Sequence, residues 1–365
     1  MGLTLAPQQI DPDFWRGKRV LLTGHSGFKG SWLSLWLQSM GATLRGAALN
    51  PPTNPALFDV ARVAEGMEHR VIDIRDFAAM KAQMSEFQPE IVIHMAAQPL
   101  VRYSYREPIE TYATNVMGTV HVLESALHAG SVQVVVNVTT DKCYENHEWV
   151  WGYRENEPMG GHDPYSSSKA CSELVTSAYR RSFFEQAGIA LASVRAGNVI
   201  GGGDWSVDRL IPDVLRAFVA NIPAVIRSPN AIRPWQHVLE PLSGYLMLAQ
   251  ALYESGENHS CGWNFGPNDE DAKPVQWIIE QMTSRWGGDA TWIQDNGKHP
   301  HEVSYLKLDI SKAKNQLGWK PVWSLDQALE KVIDWHKAWL SDGDMRSLCE
   351  QQIAAYQSDT RISQA

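Results

Sequence analysis

Cysteine is scarce in this sequence. Its 365 residues hold four, Cys143, Cys171, Cys261 and Cys349, with no C-x-x-C pair and no histidine at zinc-type spacing. A disulfide scaffold and a structural metal site are therefore excluded, and the thiols read as the reduced thiols of a cytoplasmic protein. Long apolar runs are also missing. None approaches the ~20 residues that cross a bilayer, and residues 1–13 lack the charged-then-apolar order of a signal peptide. Positive charge is in deficit, with 32 Lys+Arg against 41 Asp+Glu and a net charge of −9. That balance speaks against a nucleic-acid or anionic-membrane partner, although local arginines can still hold a small anion. No internal repeat is visible.

Glycine, by contrast, is concentrated where it carries meaning. The apolar residues 19–22 read as a short buried strand that stops at Gly24. Gly24, Gly27 and Gly30 follow at three-residue spacing and lead into Ser31-Trp32-Leu33-Ser34-Leu35-Trp36-Leu37, an apolar helical pattern. Strand, glycine turn and helix in that order form the context of a dinucleotide-binding loop. Gly24 supplies the tight turn and Gly27 lets backbone approach a pyrophosphate. That anion is met by the free N–H groups and dipole of the helix N-terminus, and Gly30 lets helix and strand pack closely. The spacing is G-x-x-G-x-x-G rather than the G-x-G-x-x-G of common dehydrogenases.

Further strands are expected over 43–49, around 71–76, over 90–97, 132–138 and 191–200, with helices over 77–87 and 108–129. This alternation predicts an α/β fold built on a doubly wound parallel sheet, with ligands beyond the C-terminal strand ends. The second strand ends Leu49-Asn50-Pro51-Pro52 instead of in the acid that usually holds an adenosine ribose. No arginine stands at that tip for a 2′-phosphate either, so NAD is the default cofactor over NADP. A further helix starts at Asp163-Pro164-Tyr165, with Asp163 as N-cap, and places Tyr165 and Lys169 one turn apart on one face. A lysine beside a tyrosine is expected to lower the phenol's pKa and make it a usable base. Residues 15–200 are expected to form the dinucleotide domain. Residues 201–340 are read as a smaller substrate lobe with late segments returning to the first domain, residues 201–205 as a mobile loop, and 341–365 as a C-terminal tail that is polar and frayed from 351 on.

These segments together, TGHSGFKG at 23–30, HMAAQ at 94–98, VTTDK at 138–142, YSSSK at 165–169 and SVRAGNVIGGGDW at 193–205, resemble the extended short-chain dehydrogenase/reductases. Within that family Thr139-Thr140-Asp141-Lys142 is similar to the catalytic segment of the nucleotide-sugar 4,6-dehydratases, which usually carry Asp-Glu where Asp141-Lys142 stands. The Asp-Lys variant, with residues 142–166, 233–241, 262–273 and 299–309, resembles the branch whose sugar is carried on CDP, so the implied substrate is CDP-D-glucose. The implied activity is a 4,6-dehydration that uses bound NAD and feeds deoxysugar (O-antigen lipopolysaccharide) biosynthesis. By resemblance Tyr165 is the base at the sugar C4 hydroxyl, Lys169 assists it and holds the nicotinamide ribose, and Thr140 orients the same hydroxyl. Asp141 is the acid at C6 and Lys142 the base at C5. A dry site that penalises both charges would let this pair exchange a proton without changing net charge.

The cofactor is expected against Gly24, Ser26, Gly27, Phe28, Gly30, Asp73, Ile74, Ala96, Ala97, Gln98, Thr139, Tyr165 and Lys169, with Asp73 on the adenine amine or simply capping the next helix. Arg209 and Arg233 are candidates for the diphosphate, because guanidinium forks match phosphate oxygens. Asn198 is expected on a phosphate or sugar hydroxyl, and Arg102, Trp205 and Tyr305 on the sugar or base. No metal is implied. The family implies a homodimer, or a dimer of dimers, through a four-helix contact that includes the Tyr165 helix. Three rival readings remain open: a nucleotide-sugar 4-epimerase, a dTDP- or GDP-sugar dehydratase, and a non-catalytic dinucleotide-sensing module.

Overall fold

The computed structural model describes residues 9–295, 297 and 305–364, so residues 299–304 of the 299–309 motif lie outside the described residues. In chain order the strands are β1 (Arg19–Thr23), β2 (Thr43–Ala48), β3 (Glu68–Val71), β4 (Ile91–His94), β5 (Val134–Val138), β6 (Ala190–Ala196), β7 (Asn198–Ile200), β8 (Ala224–Ile226), β9 (Ile232–His237), β10 (Gly262–Phe265), β11 (Ala272–Pro274) and β12 (Trp292–Gln294). The central sheet has seven strands in the order β10-β6-β5-β4-β1-β2-β3, every pair parallel.

The chain winds outward from β1 through β2 and β3, then returns to the other side of β1 through β4, β5 and β6. The crevice at this reversal lies beyond the carboxyl ends of β1 and β4, where such sheets bind ligands. Alternate residues serve opposite faces. Val20, Leu22, Ile91, Ile93, Val134 and Val136 pack with Trp32, Trp36 and Leu246 on one side. Leu21, Val92, Val135 and Leu191 pack with Met80, Met84, Val122 and Leu123 on the other. Both faces are covered, which is why these strands read as near-continuous apolar runs.

Beyond β6 a second core gathers Ile211, Val214, Leu215 and Phe218 with Ile278, Ile279, Met282, Leu329 and Val332. It is bordered by the small sheets β11-β9-β7 and β12-β8. Between these pieces the helix Leu239–Ser255 packs on the central sheet, and β10 pairs with β6.

Four expectations are corrected. The third strand is Glu68–Val71, ending where it was expected to be in progress; it is a half-exposed edge strand whose polar residues carry no apolar signal. The expected strand over 191–200 breaks at Gly197 into β6 and β7. Residues 201–205 form a packed corner rather than a mobile loop: the Trp32 indole donates to Gly202 O (3.0 Å), and a Cβ on Gly202 would lie 2.0 Å from Trp335 Cγ. Residues 345–364 are not a frayed tail but the helix Met345–Gln364. Met345, Cys349, Ile353 and Tyr356 recur on one face and are buried against the core, with Tyr356 edge-on to Trp36 and Trp323.

That helix is tied down through Glu240, fully buried on the Leu239–Ser255 helix. Its carboxyl accepts from the N–H groups of Val322 (3.0 Å) and Trp323 (2.7 Å) and from the Tyr356 hydroxyl (2.7 Å). Burial pushes this carboxyl up to about 7 despite those donors. A pKa raised above the unfolded value of about 4.3 contributes stability that is full below that value and lost as pH rises through the folded one. Glu240→Gln is therefore expected to flatten the stability profile. Urea midpoints measured at several pH values across about 5–8 should fall less for the variant than for the native chain, and parallel profiles would refute the assignment.

Candidate active site

The glycine loop shapes one wall of the crevice. Gly24 sits at φ +75°, and a Cβ there would lie 2.7 Å from Ala96 N. A Cβ on Gly30 would lie 2.1 Å from Gly24 O, so helix Phe28–Ser39 approaches β1 as closely as backbones allow. Gly27 is the N-cap and offers no side-chain acceptor, leaving the first-turn N–H groups for an external anion. The Ser26 hydroxyl donates to Leu49 O (2.7 Å) and binds the loop to the end of β2. The Phe28 ring lies beside Gly201. These residues fit a dinucleotide.

The opposite wall is the end of β4. The Thr23 hydroxyl oxygen accepts from the N–H groups of Met95 (3.0 Å) and Ala96 (3.1 Å), fixing the turn into Ala97 and Gln98. Gln98 is clamped by Asn115, which accepts from Gln98 N (2.8 Å) and donates to Gln98 O (3.0 Å) and to Ser168 Oγ (2.9 Å). Asn115 escaped the sequence reading. It reaches this position because a π-turn over Ala113–Met117 interrupts what read as one uniform helix over 108–129. The Gln98 amide is itself committed to Thr111. Asp73 is gripped by the Arg75 guanidinium, which holds its carboxyl below the usual range, and Asp76 rather than Asp73 caps the next helix. Ile74 is buried beneath Gly118.

The chemical groups stand at the end of β5. Thr140 caps a short turn over Asp141–Cys143, its hydroxyl donating to Asp141 Oδ1 (3.0 Å) and accepting from Lys142 N (3.3 Å). The same hydroxyl lies close enough to Tyr165 to favour its phenolate, so Thr140, Asp141 and Tyr165 form one buried set. Burial raises the Asp141 pKa against the pull of Lys142, Thr140 and Arg233. Gly197 leaves room for this carboxyl: a Cβ there would lie 3.1 Å from Asp141 Oδ2 and 2.8 Å from Pro234 Cγ. Lys142 is half-buried, so the dry environment expected for the pair is complete for Asp141 alone.

Tyr165 corrects an expectation. Burial pushes its phenol up to about 12, against the pull of the Thr140 hydroxyl and of Arg209. Lys169 donates instead to Val138 O (3.1 Å), and burial brings its ammonium down to about 8. Desolvation of the phenolate outweighs a lysine whose donor is turned to the backbone.

Beneath this set lies a buried ion pair, Glu173 with Arg195 (2.8 Å), which also accepts from Thr139 and Ser193. Burial opposes ionisation of Glu173, but Arg195 and these hydroxyls hold its pKa below the usual range. Arg195 continues to the Tyr144 hydroxyl and Glu155 O.

Arg209 pairs with Asp204 (2.9 Å) while facing Tyr165, and Arg233 faces Asp141. Asn198 opens β7 beside Trp235. Three further candidates hold partners within the fold. Trp205 packs on Trp335, His336 and Trp339. Arg102, on the helix Val101–Arg106, pairs with Asp208 (3.0 Å), and the Tyr305 hydroxyl donates to Val150 O (3.2 Å).

The profile of the GDP-mannose 4,6-dehydratase family matches residues 21–332. The chain belongs to this family. It is 60% identical over 356 residues to the CDP-glucose 4,6-dehydratase of Salmonella typhimurium, covering 96% of this chain and 99% of that protein. A dTDP-glucose 4,6-dehydratase of Xanthomonas campestris is 25% identical over 87% of this chain and 92% of its own. Among solved structures, the dTDP-glucose 4,6-dehydratase of Bacillus anthracis in complex with NAD superposes with a TM-score of 0.72 at 22% identity, covering 88% of this chain and 97% of that one. A UDP-glucose 4-epimerase of Thermotoga maritima superposes at 0.76 with 22% identity, covering 88% and 99%. At that identity the superpositions establish the shared fold of the dehydratase family and its epimerase neighbours.

The Glu173–Arg195 pair ties the Tyr165 helix to β5 and β6. Removing one partner strands a buried charge, so Glu173→Ala should cost about 3–5 kcal/mol by urea unfolding, and a joint replacement of both residues by methionine should recover most of it. Equal losses in both variants would show that the ion pair is not what binds these elements.

Proposed function

We propose that the protein converts CDP-D-glucose into CDP-4-dehydro-6-deoxy-D-glucose and water, with NAD as its resident cofactor. The observation that carries this reading is the buried Thr140–Asp141–Tyr165 set, with Lys142 adjacent, at the mouth of the glycine-loop crevice. The choice of CDP is supported by the Salmonella relative. Bound NAD would supply a hydride acceptor at C4 and a hydride donor at C6, and the positive charge of its oxidised ring would favour the Tyr165 phenolate as Arg209 does.

Tyr165 accepts the proton of the C4 hydroxyl, which Thr140 orients. Oxidation at C4 acidifies the C5 proton. With its own proton passed to Asp141, Lys142 takes the C5 proton as an amine, Asp141 protonates the departing C6 hydroxyl to release water, and Lys142 returns a proton to C5 as hydride reaches C6. Burial raises the Asp141 pKa and so favours the protonated form this role requires. Lys169, brought down to about 8, holds the nicotinamide ribose and completes the proton path to Tyr165. Arg209 and Arg233 supply guanidinium groups toward the diphosphate, and Asn198 a hydrogen bond. Asp73, Ile74 and Ala96–Gln98 line the cofactor. Arg102, Trp205 and Tyr305 meet the sugar or base. A 4-epimerase needs Tyr165 and Lys169 but leaves a buried acid at 141 without work.

The product suits deoxysugar assembly in the cytoplasm, a placement supported by four free cysteines. A homodimer is supported by the apolar residues Ile109, Tyr112, Met117, Leu174 and Phe183, exposed on the two helical segments expected to meet a second copy.

CDP-, dTDP-, UDP- and GDP-glucose offered in deuterated water should give a 6-deoxy-4-keto sugar with deuterium at C5 from the CDP sugar alone. Inversion at C4 without loss of the C6 hydroxyl would overturn the reading. In Lys142→Met, turnover should fall by about 10²–10⁴-fold and C5 exchange should stop while reduced nicotinamide still accumulates. Gel filtration should give about twice the 40.8 kDa of one chain.

A further inference from the structure

Arg227 differs from the other well-placed arginines in that no partner holds it. Arg45, Arg75, Arg195, Arg209 and Arg285 each grip a carboxylate. Among the described residues the half-buried Arg227 has no hydrogen bond or ion pair, and its Nη1 is shut off from water. A buried charged donor without an acceptor is costly. Such a group in a folded chain points to an acceptor that arrives with a ligand.

The backbone around Arg227 is fixed. β8 ends one residue before it at Ile226, which is buried in the second core and whose carbonyl accepts from Asp295 N (2.8 Å). The next four residues form a tight turn, with Ala231 N donating to Ser228 O (3.1 Å). That turn is pinned to the start of helix Val275–Trp286, since Gln276 N donates to Pro229 O (2.8 Å) and Val275 N to Ala231 O (3.0 Å). The ends of such a turn lie within about 7 Å of each other, so Arg227 is set beside the opening of β9. There Ile232 bridges to Tyr305, and Arg233 faces Asp141.

A nucleotide sugar with its reacting carbons at Tyr165 and Asp141 brings its diphosphate to Arg209 and Arg233. The base remains to be met, and Arg227 is the unpaired guanidinium one turn of chain from Arg233. Cytosine carries two adjacent acceptors, O2 and N3, where uracil and thymine carry O2 and an N3–H donor. A guanidinium presents parallel donors and no acceptor. It therefore matches the cytosine edge and sets donor against donor on the other two.

We propose that Arg227 is a specificity-determining residue that pairs its guanidinium fork with O2 and N3 of a cytosine base. This inference rests on the CDP-sugar reading above. A change of rotamer, common at binding surfaces, turns the fork onto the base, and a charge without a partner in the free protein acquires two acceptors. Guanine offers O6 and N7 to a fork as well, so the discrimination that Arg227 supplies is among the pyrimidines.

The test is equilibrium binding of CMP, UMP and dTMP to native protein, Arg227→Met and Arg227→Lys, with melting temperatures to confirm folding. Native protein should prefer CMP by about ten- to a hundredfold, the range of one good bidentate contact. Arg227→Met should lose affinity for CMP by about that factor while binding UMP and dTMP at least as well as native protein does. Arg227→Lys keeps the charge without the fork and should lose the preference too. Equal weakening of all three nucleotides in Arg227→Met would put the guanidinium on phosphate and overturn the assignment, as would a lysine variant with the native preference. If Arg227→Met still prefers CMP as native protein does, cytosine is read elsewhere and the inference fails while the CDP reading stands. If native protein itself shows no preference for CMP, the CDP reading falls and the role of Arg227 with it.

Discussion

Backbone atoms at Gly24, Gly30 and Ala96 approach one another to the limit that a missing side chain permits, and the position of the site follows from that contact. A Cβ at Gly30 would fall 2.1 Å from Gly24 O, and one at Gly24 would meet the backbone of Ala96. With both side chains absent, helix Phe28–Ser39 sits directly on β1 and its first-turn N–H groups open into the crevice between β1 and β4. An anion held there is held by backbone, which does not change rotamer. A cofactor that must be retained through both halves of a reaction calls for that kind of fixed grip.

The second constraint is water exclusion at the end of β5. Asp141, Tyr165 and Lys169 are each pushed toward the neutral form mainly by burial, with near neighbours trimming the effect. Burial therefore favours the protonated form of Asp141 and brings Lys169 down to about 8, while leaving Tyr165 in need of added positive charge before it ionises. Glu173 and Arg195 lie just below, equally buried but paired and saturated with hydrogen bonds, and stay charged. The contrast between a compensated pair and partly compensated single groups divides the structural charges from those that exchange protons.

Much of this was legible in the residues. The strand–glycine–helix order, the apolar runs of β1, β4 and β5, and the one-turn spacing of Tyr165 and Lys169 are local patterns, and each corresponds to a local structure. The glycines at 24, 27 and 30 are informative because few other residues accept the conformation or contact demanded there. Other features left no local trace. β3 is a half-exposed edge strand and so carries no apolar run. The helix Met345–Gln364 spreads its few buried apolar residues three or four apart among polar ones, which reads as a tail until Trp36 and Trp323 are placed beside it. Gly201–Gly203 look flexible in isolation and are pinned by Trp32, Leu57 and Trp335.

The chain alone therefore determined the sheet, the cofactor loop and the residue types that can oxidise a hydroxyl and eliminate water, because backbone geometry and side-chain chemistry act over a few neighbouring residues. Tertiary structure decided the charge state of those residues and their company. It turned Lys169 onto Val138 O, raised Tyr165 instead of lowering it and drew Trp205 into a tryptophan cluster. Desolvation and long-range Coulomb interactions depend on which distant segments exclude water from a given atom, and only the folded arrangement of those segments supplies that.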